Sequence, residues 1–273
     1  MVMFNMSDGQ FQLVYNVLSF SLASMMASTL FFWMRVSSVN AKYQSALIIS
    51  GLVTFIAAYH YFRIFNSWVE AYEYPAASGK GSQWPLTGAY PDPQLTGVPF
   101  NDAYRYMDWL LTVPLLLIEI VLTMNMSAEE SSAKCKQLGI AAALMIAIGY
   151  PGELIMEGPE LSQRWTYWGA AMIPFLFVVY TLLVGLADAT ASESDPQVSS
   201  LIKSAQLYTV VSWTTYPVVY ILPMFGLHGA QAVVGVQVGY CISDIISKCG
   251  VGLLIYQITS TKSANENKNA LLA

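Results

Sequence analysis

The chain has 273 residues, 55% of them hydrophobic and only 11% charged, with a formal net charge of −5. A soluble domain carries roughly 25% charged residues around its core, so an average cytosolic enzyme is excluded and no nucleic-acid partner is expected. Apolar runs of about 20 residues, the length that crosses a hydrocarbon layer about 30 Å thick, recur along nearly the whole chain, so most of this protein has lipid as its solvent. The first predicted span, residues 11 to 34, starts too late for a removed signal peptide, and lacks the basic start and small-residue cleavage site. The second, 45 to 69, carries His60 within "AAYHYFR". A Pro-, Gly- and Tyr-rich connection at about 70 to 101 follows, long enough for a small hairpin or a cap. The third span, 102 to 124, contains "YRYMDWLLTVPLLLIEI", and the fourth, 137 to 156, contains "GYPGE". The fifth, 165 to 187, begins within "RWTYWGAAM"; the sixth, 200 to 223, holds "WTTYPVVY"; the seventh, 230 to 258, holds "SDIISKCGVG".

The expected fold is therefore an all-α membrane protein, one seven-transmembrane-helix bundle over 1–273. Lysine and arginine are held back on the cytoplasmic side of membrane proteins. With the N-terminus outside, Arg35, Lys42, Lys134, Lys136, Lys203, Lys262 and Lys268 fall inside, and only Lys80 and Arg164 outside. That bias predicts an outer N-terminus, a cytoplasmic C-terminus and an extracellular connection at 70–101. Cys135, Cys241 and Cys249 have no metal-like spacing and suggest no disulfide framework. No nucleotide-binding glycine loop, zinc motif or internal repeat is present.

What remains is a set of ionisable groups inside the spans, where they are costly and usually functional. Asp244 and Lys248 are four residues apart, about one turn along one face of the seventh helix. That spacing suits a structural ion pair, or a lysine used for Schiff-base chemistry with an aspartate counter-ion. On the third span, Asp108 and Glu119 are separated by 11 residues, close to three turns and about 16 Å, with Thr112 near the line between them. Two acids on one face at different depths make better sense as stations of a proton path than as packing.

These motifs, in this order and over all seven spans, resemble the microbial rhodopsins, and "GYPGE" is similar to their proteorhodopsin and xanthorhodopsin branch. The resemblance implies all-trans retinal bound covalently to Lys248, with Asp108 and Asp244 as counter-ions and Arg105 balancing them. Trp109, Trp213, Tyr216 and Tyr220 would line the polyene, Pro217 would shape the sixth helix, and Met145 and Gly149 would lie at the ring. Asp108, Thr112 and Glu119 match the Asp-Thr-Glu pattern of outward proton pumps, with Asp108 as proton acceptor and Glu119 as cytoplasmic donor. His60 matches the histidine that pairs with the acceptor aspartate. Leu116 stands where green-absorbing members carry leucine, and Gly169 where members with a carotenoid antenna carry glycine; close helix packing is the other reading of that glycine. "MFGLHGAQ", between the last two spans, has no carboxylate, which argues against prompt proton release. The expected protein is thus a light-driven outward proton pump rather than an enzyme: a multi-pass, homo-oligomeric protein of the plasma membrane, with the lipid bilayer and protons as its partners. A sensory rhodopsin, or a transporter with a structural Lys248–Asp244 pair, are the alternatives.

Overall fold

A computed structural model describes residues 3–75 and 91–272. Seven long helices run in sequence: Asp8–Arg35, Ala41–Ala71, Ala103–Leu122, Ala128–Glu153, Leu161–Ala191, Pro196–Tyr220 and Gly229–Leu272. Each packs on the next, and the seventh returns to the first, closing a ring. Five of them are long and apolar enough to cross a membrane by composition alone. The other two are the third, whose 20 residues include Arg105, Asp108 and Glu119, and the sixth, which is rich in Ser and Thr. Their polarity is where the bundle interior departs from plain packing.

The helices outrun their apolar cores. Ser127 and Glu130 form a reciprocal capping box that starts the fourth helix at Ala128, nine residues before its apolar run at 137. The seventh continues to Leu272, well past 258, through a polar stretch that hydropathy does not see. That polar tail is bound by side chains. Lys262 Nζ pairs with Glu193 Oε2 at 2.5 Å and donates to the Thr123 carbonyl at 2.8 Å. Glu266 pairs with Lys42 at 2.6 Å, and Ser263 Oγ accepts from the Asn40 backbone N–H at 2.9 Å. The fifth and seventh helices each contain one wider π turn, Thr181–Gly185 and Ile245–Gly250, the second enclosing Lys248. Such turns commonly mark functional sites.

Between the second and third helices, β1 (Tyr72–Glu73) pairs antiparallel with β2 (Gln94–Leu95), so the ends of the long connection form a short ladder. The rest of that connection, including Lys80, lies outside the described residues. Arg164, expected in a loop, is instead fully buried inside the bundle. Its guanidinium meets Glu153 Oε2 at 2.9 Å and donates to the carbonyls of Gly152, Glu153, Ile155 and Tyr220. A buried cation needs that many acceptors to offset its lost hydration, and the end of the fourth helix supplies most of them.

Close approach of the fourth, fifth and sixth helices depends on Gly152. A Cβ there would lie 2.0 Å from the Tyr220 hydroxyl and 2.7 Å from the Tyr167 Cβ. Gly152→Ala is therefore expected to destabilise the bundle by about 1–3 kcal/mol, the usual cost of overpacking. Thermal unfolding of the purified protein checks this, and an unchanged midpoint would contradict the contact.

Candidate functional site

The centre of the bundle holds a compact set of charges. Lys248 Nζ lies 2.6 Å from Asp108 Oδ2 and 2.9 Å from Asp244 Oδ1, with all three side chains at most 1% exposed. The third helix presents Asp108 and the seventh presents both Asp244 and Lys248, so the site exists only when these two helices face each other. Asp244 is the better-anchored carboxylate. Its Oδ1 also accepts from Trp109 Nε1 at 3.0 Å and the Tyr216 hydroxyl at 2.6 Å, and its Oδ2 accepts from the Tyr61 hydroxyl at 2.8 Å. Asp108 has only Lys248, and its Oδ1 is buried without a partner.

Arg105 touches neither Asp108 nor Asp244. It is linked to Asp244 through Tyr61, whose hydroxyl accepts from the guanidinium at 3.1 Å and donates to Asp244 at 2.8 Å. On its other side Arg105 lies 3.4 Å from Asp102 Oδ1 and donates to Gln237 Oε1 at 2.6 Å, while Gln237 Nε2 donates to Asp102 Oδ1 at 3.2 Å. Thr112, on the far side of Asp108 from Arg105, gives its hydroxyl to the Asp108 backbone carbonyl at 2.8 Å, so it braces the helix rather than the carboxylate.

Glu119 sits apart, fully buried near the opposite end of the third helix. Its Oε2 accepts from Ser50 Oγ of the second helix at 2.7 Å, Oε1 is unpartnered, and no ion pair to it is formed among the described residues. The expected hydrogen bond between His60 and Asp108 is not made. His60 Nδ1 and Asp108 Oδ1 are both buried and unpaired, while Asp108 is drawn towards Lys248 through its other oxygen.

An apolar, aromatic-walled cavity adjoins the charged group. The third helix contributes Tyr106, Trp109 and Val113; the fourth Met145, Ile146 and Gly149; the fifth Trp168, Ala171, Met172 and Phe175. The sixth contributes Trp213, Tyr216, Pro217 and Tyr220, and the seventh Tyr240. Seven residues expected at a ligand therefore share one cavity: Trp109, Met145, Gly149, Trp213, Tyr216, Pro217 and Tyr220. Trp109 and Tyr216 face both the cavity and Asp244, tying one end of it to Lys248. Leu116 is buried but is not in this wall, which ends one turn earlier at Val113. Gly169 is exposed next to Trp168, and a Cβ there would meet nothing within 4 Å. The close-packing reading of that glycine is thereby set aside.

Sequence reasoning overlooked Tyr61, Gln237, Tyr240, Asp102, Glu153, Arg164, Ser50 and the fifth-helix wall. Periodicity carried a signal for several of them. Buried positions of the second helix run Ala57, Tyr61, Ile64, Trp68 and Ala71, a stripe that includes Tyr61 and leaves the partly exposed His60 one residue off. Stepping back from Lys248 and Asp244 by helical spacing likewise reaches Tyr240 and Gln237, both buried.

With this geometry, the chain matches the family model for bacteriorhodopsin-like protein over residues 13–262. It is 27% identical over 253 residues to a green-light absorbing proteorhodopsin of Gamma-proteobacterium EBAC31A08, covering 92% of this chain and 89% of that one. The crystal structure of xanthorhodopsin, a light-driven ion pump with dual chromophore, superposes with a TM-score of 0.85 at 39% identity, over 97% of this chain and 99% of that one. A thermophilic rhodopsin superposes equally well, TM-score 0.85 at 38% identity, over 97% and 99% of the two chains. Since the match runs from the first helix into the last and the apolar helices are long enough to cross a bilayer, the chain belongs to the bacteriorhodopsin-like family and is an integral, multi-pass membrane protein.

Proposed function

We propose that this protein is a light-driven outward proton pump. The observation that carries the reading is the contrast between two buried carboxyls on the third helix: Asp108, 2.6 Å from Lys248 Nζ, and Glu119, without a cation and held by Ser50. One is placed to take a proton from Nζ, the other to keep one until Nζ needs it.

The residues present fit a retinal chromophore. The cavity wall is apolar and aromatic over five helices, and it ends where Trp109, Tyr216 and Asp244 surround Lys248 Nζ. All-trans retinal, linked covalently to Lys248 Nζ, would supply absorption of visible light and an isomerisation that drives the cycle. In the resting state Asp108 and Asp244 stabilise positive charge on Nζ. Asp108 accepts the Nζ proton, because Asp244 is already committed to three other donors. Glu119, kept neutral by apolar surroundings that disfavour a lone charge, then returns a proton to Nζ from the other side. Direction requires that access to Nζ switch between the two transfers. The unpaired Nδ1 of His60 and the unpaired Oδ1 of Asp108 are consistent with a tuning role for the histidine. The basic residues at the Glu119 end, Lys42, Lys134, Lys136 and Lys203, support a cytoplasmic assignment for that end and an extracellular one for the 70–101 connection. Glu119 also separates this reading from a sensor, which has little need of a proton donor.

Illuminating cells that express the protein with added retinal should acidify the medium, and an uncoupler should abolish the change. Lys248→Ala should be colourless and inactive; a coloured variant would sink the assignment. The two carboxyls should fail differently. Asp108→Asn should absorb at longer wavelength and stop pumping, whereas Glu119→Gln should keep its colour and reprotonate Nζ about 100-fold more slowly, as loss of a positioned proton donor allows. Flash photolysis measures this, and equal decay in wild type and Glu119→Gln would remove Glu119 from the path.

Exposed Gly169 also favours a carotenoid antenna, because the missing side chain leaves the fifth helix open beside the Trp168 wall. Hydroxylated or keto carotenoids added to the pigment should contribute a band to the action spectrum of pumping. Gly169→Trp should remove that band while leaving pumping in retinal-absorbed light intact; a band that persists in the variant would place the antenna elsewhere.

A further inference from the structure

In the cycle above, the proton taken by Asp108 still has to reach the medium, and the connection between the last two helices offers no carboxylate to carry it. Two carboxyls are buried at that end of the bundle, Asp102 and Glu153. Glu153 is held in a fixed ion pair: its Oε2 accepts from Arg164, Tyr240 and Tyr106, and Arg164 is itself locked by four backbone carbonyls. Asp102 is held differently. Its Oδ1 receives Arg105 and Gln237, the same two groups that bond each other; its Oδ2, like Glu153 Oε1, is buried with no partner, so what sets Asp102 apart is its link to Arg105. Asp102 thus has an oxygen free for a proton, next to the cation that joins it through Tyr61 to Asp244.

The charge sequence sets when that oxygen would be used. At rest Lys248 Nζ, Asp108 and Asp244 sum to one negative charge, while Arg105 and Asp102 together sum to zero. Moving the proton from Nζ to Asp108 leaves that sum unchanged, so nothing yet expels a proton. Once Glu119 reprotonates Nζ, a positive charge again stands 2.6 Å from Asp108 and favours its ionised form, so the proton on Asp108 is expelled. Resting on the proton-pump reading, we propose that Asp102 is the exit station. The Asp108 carboxyl loses its proton to water, water carries it past Arg105, the Asp102 carboxylate takes it up on Oδ2, and Asp102 then gives it to the medium.

The test uses the retinal-loaded pigment, a flash, a pH-indicating dye and time-resolved infrared spectroscopy. Asp102→Asn should delay proton appearance about tenfold or more relative to wild type, the scale of a lost proton-transfer group. It should leave reprotonation of Nζ unchanged and lack a transient carboxyl band seen in wild type. Asp102→Glu should restore most of the speed and move that band, which a purely structural role would not do. Release as fast as wild type with the band intact in Asp102→Asn overturns the proposal. If Asp102→Asn yields no coloured protein, the glutamate variant decides, and an unmoved band overturns it. A coloured wild type that releases no proton at all overturns the pump reading, and this proposal with it.

Discussion

One lysine between two aspartates, with no water-exposed surface on any of them, is the constraint around which the bundle is arranged. Ions of this size pay several kcal/mol each for leaving water, and only close, well-oriented partners return it. The third and seventh helices are therefore fixed at the distance that gives the 2.6 Å contact of Lys248 with Asp108 and the 3.0 Å bond of Trp109 to Asp244, and the second and sixth are fixed next, because Tyr61 and Tyr216 supply hydroxyls to Asp244. The aromatic cavity follows, since Trp109 and Tyr216 are shared between it and the charges. Changing either carboxylate thus reaches both the electrostatics of Nζ and the shape of the ligand cavity.

The charged group is unequal by construction. Asp244 is saturated with donors and Asp108 is not, although both face the same cation. In a medium of low dielectric that difference favours neutralising Asp108: protonating Asp244 would weaken the bonds from Trp109, Tyr216 and Tyr61, whereas protonating Asp108 changes only its bond to Lys248. Glu119 extends the same logic, with one hydroxyl in place of any cation. Along the third helix the partners of the buried carboxyls thus change from Arg105 and Gln237 at Asp102, to Lys248 at Asp108, to a single hydroxyl at Glu119.

Much of this was legible in the sequence because it rests on patterns that survive in one dimension. Apolar length announced the spans, helical spacing paired Asp244 with Lys248, and motif order located seven residues that do share the cavity. What was missed depends on relations between helices. Tyr61 and Gln237 look like ordinary interior residues until Arg105 is placed between them, and Arg164 reads as a loop charge because its partner Glu153 stands 11 residues earlier on a different helix. His60 was expected beside Asp108 by resemblance alone; no bond joins them here, and it is Tyr61, one residue on, that bonds Asp244. Leu116 fell outside the wall because the cavity ends at Val113, a boundary set by three-dimensional shape. Helix ends were missed for a simpler reason: capping and polar continuation occur outside the apolar segment that hydropathy measures.

The seventh helix has a mechanical consequence that its length implies. Its 44 residues would span about 66 Å if ideal, with Lys248 near the middle and Lys262 about 21 Å further along. The tail beyond the apolar core is bonded to the segments that follow the first, third and fifth helices, through Asn40, Thr123 and Glu193. One helix arm thus carries both the lysine, within the π turn at Ile245–Gly250, and the bonds that gather three loops. Those loops share a single anchor, so loss of the tail's packing would release all three together rather than loop by loop.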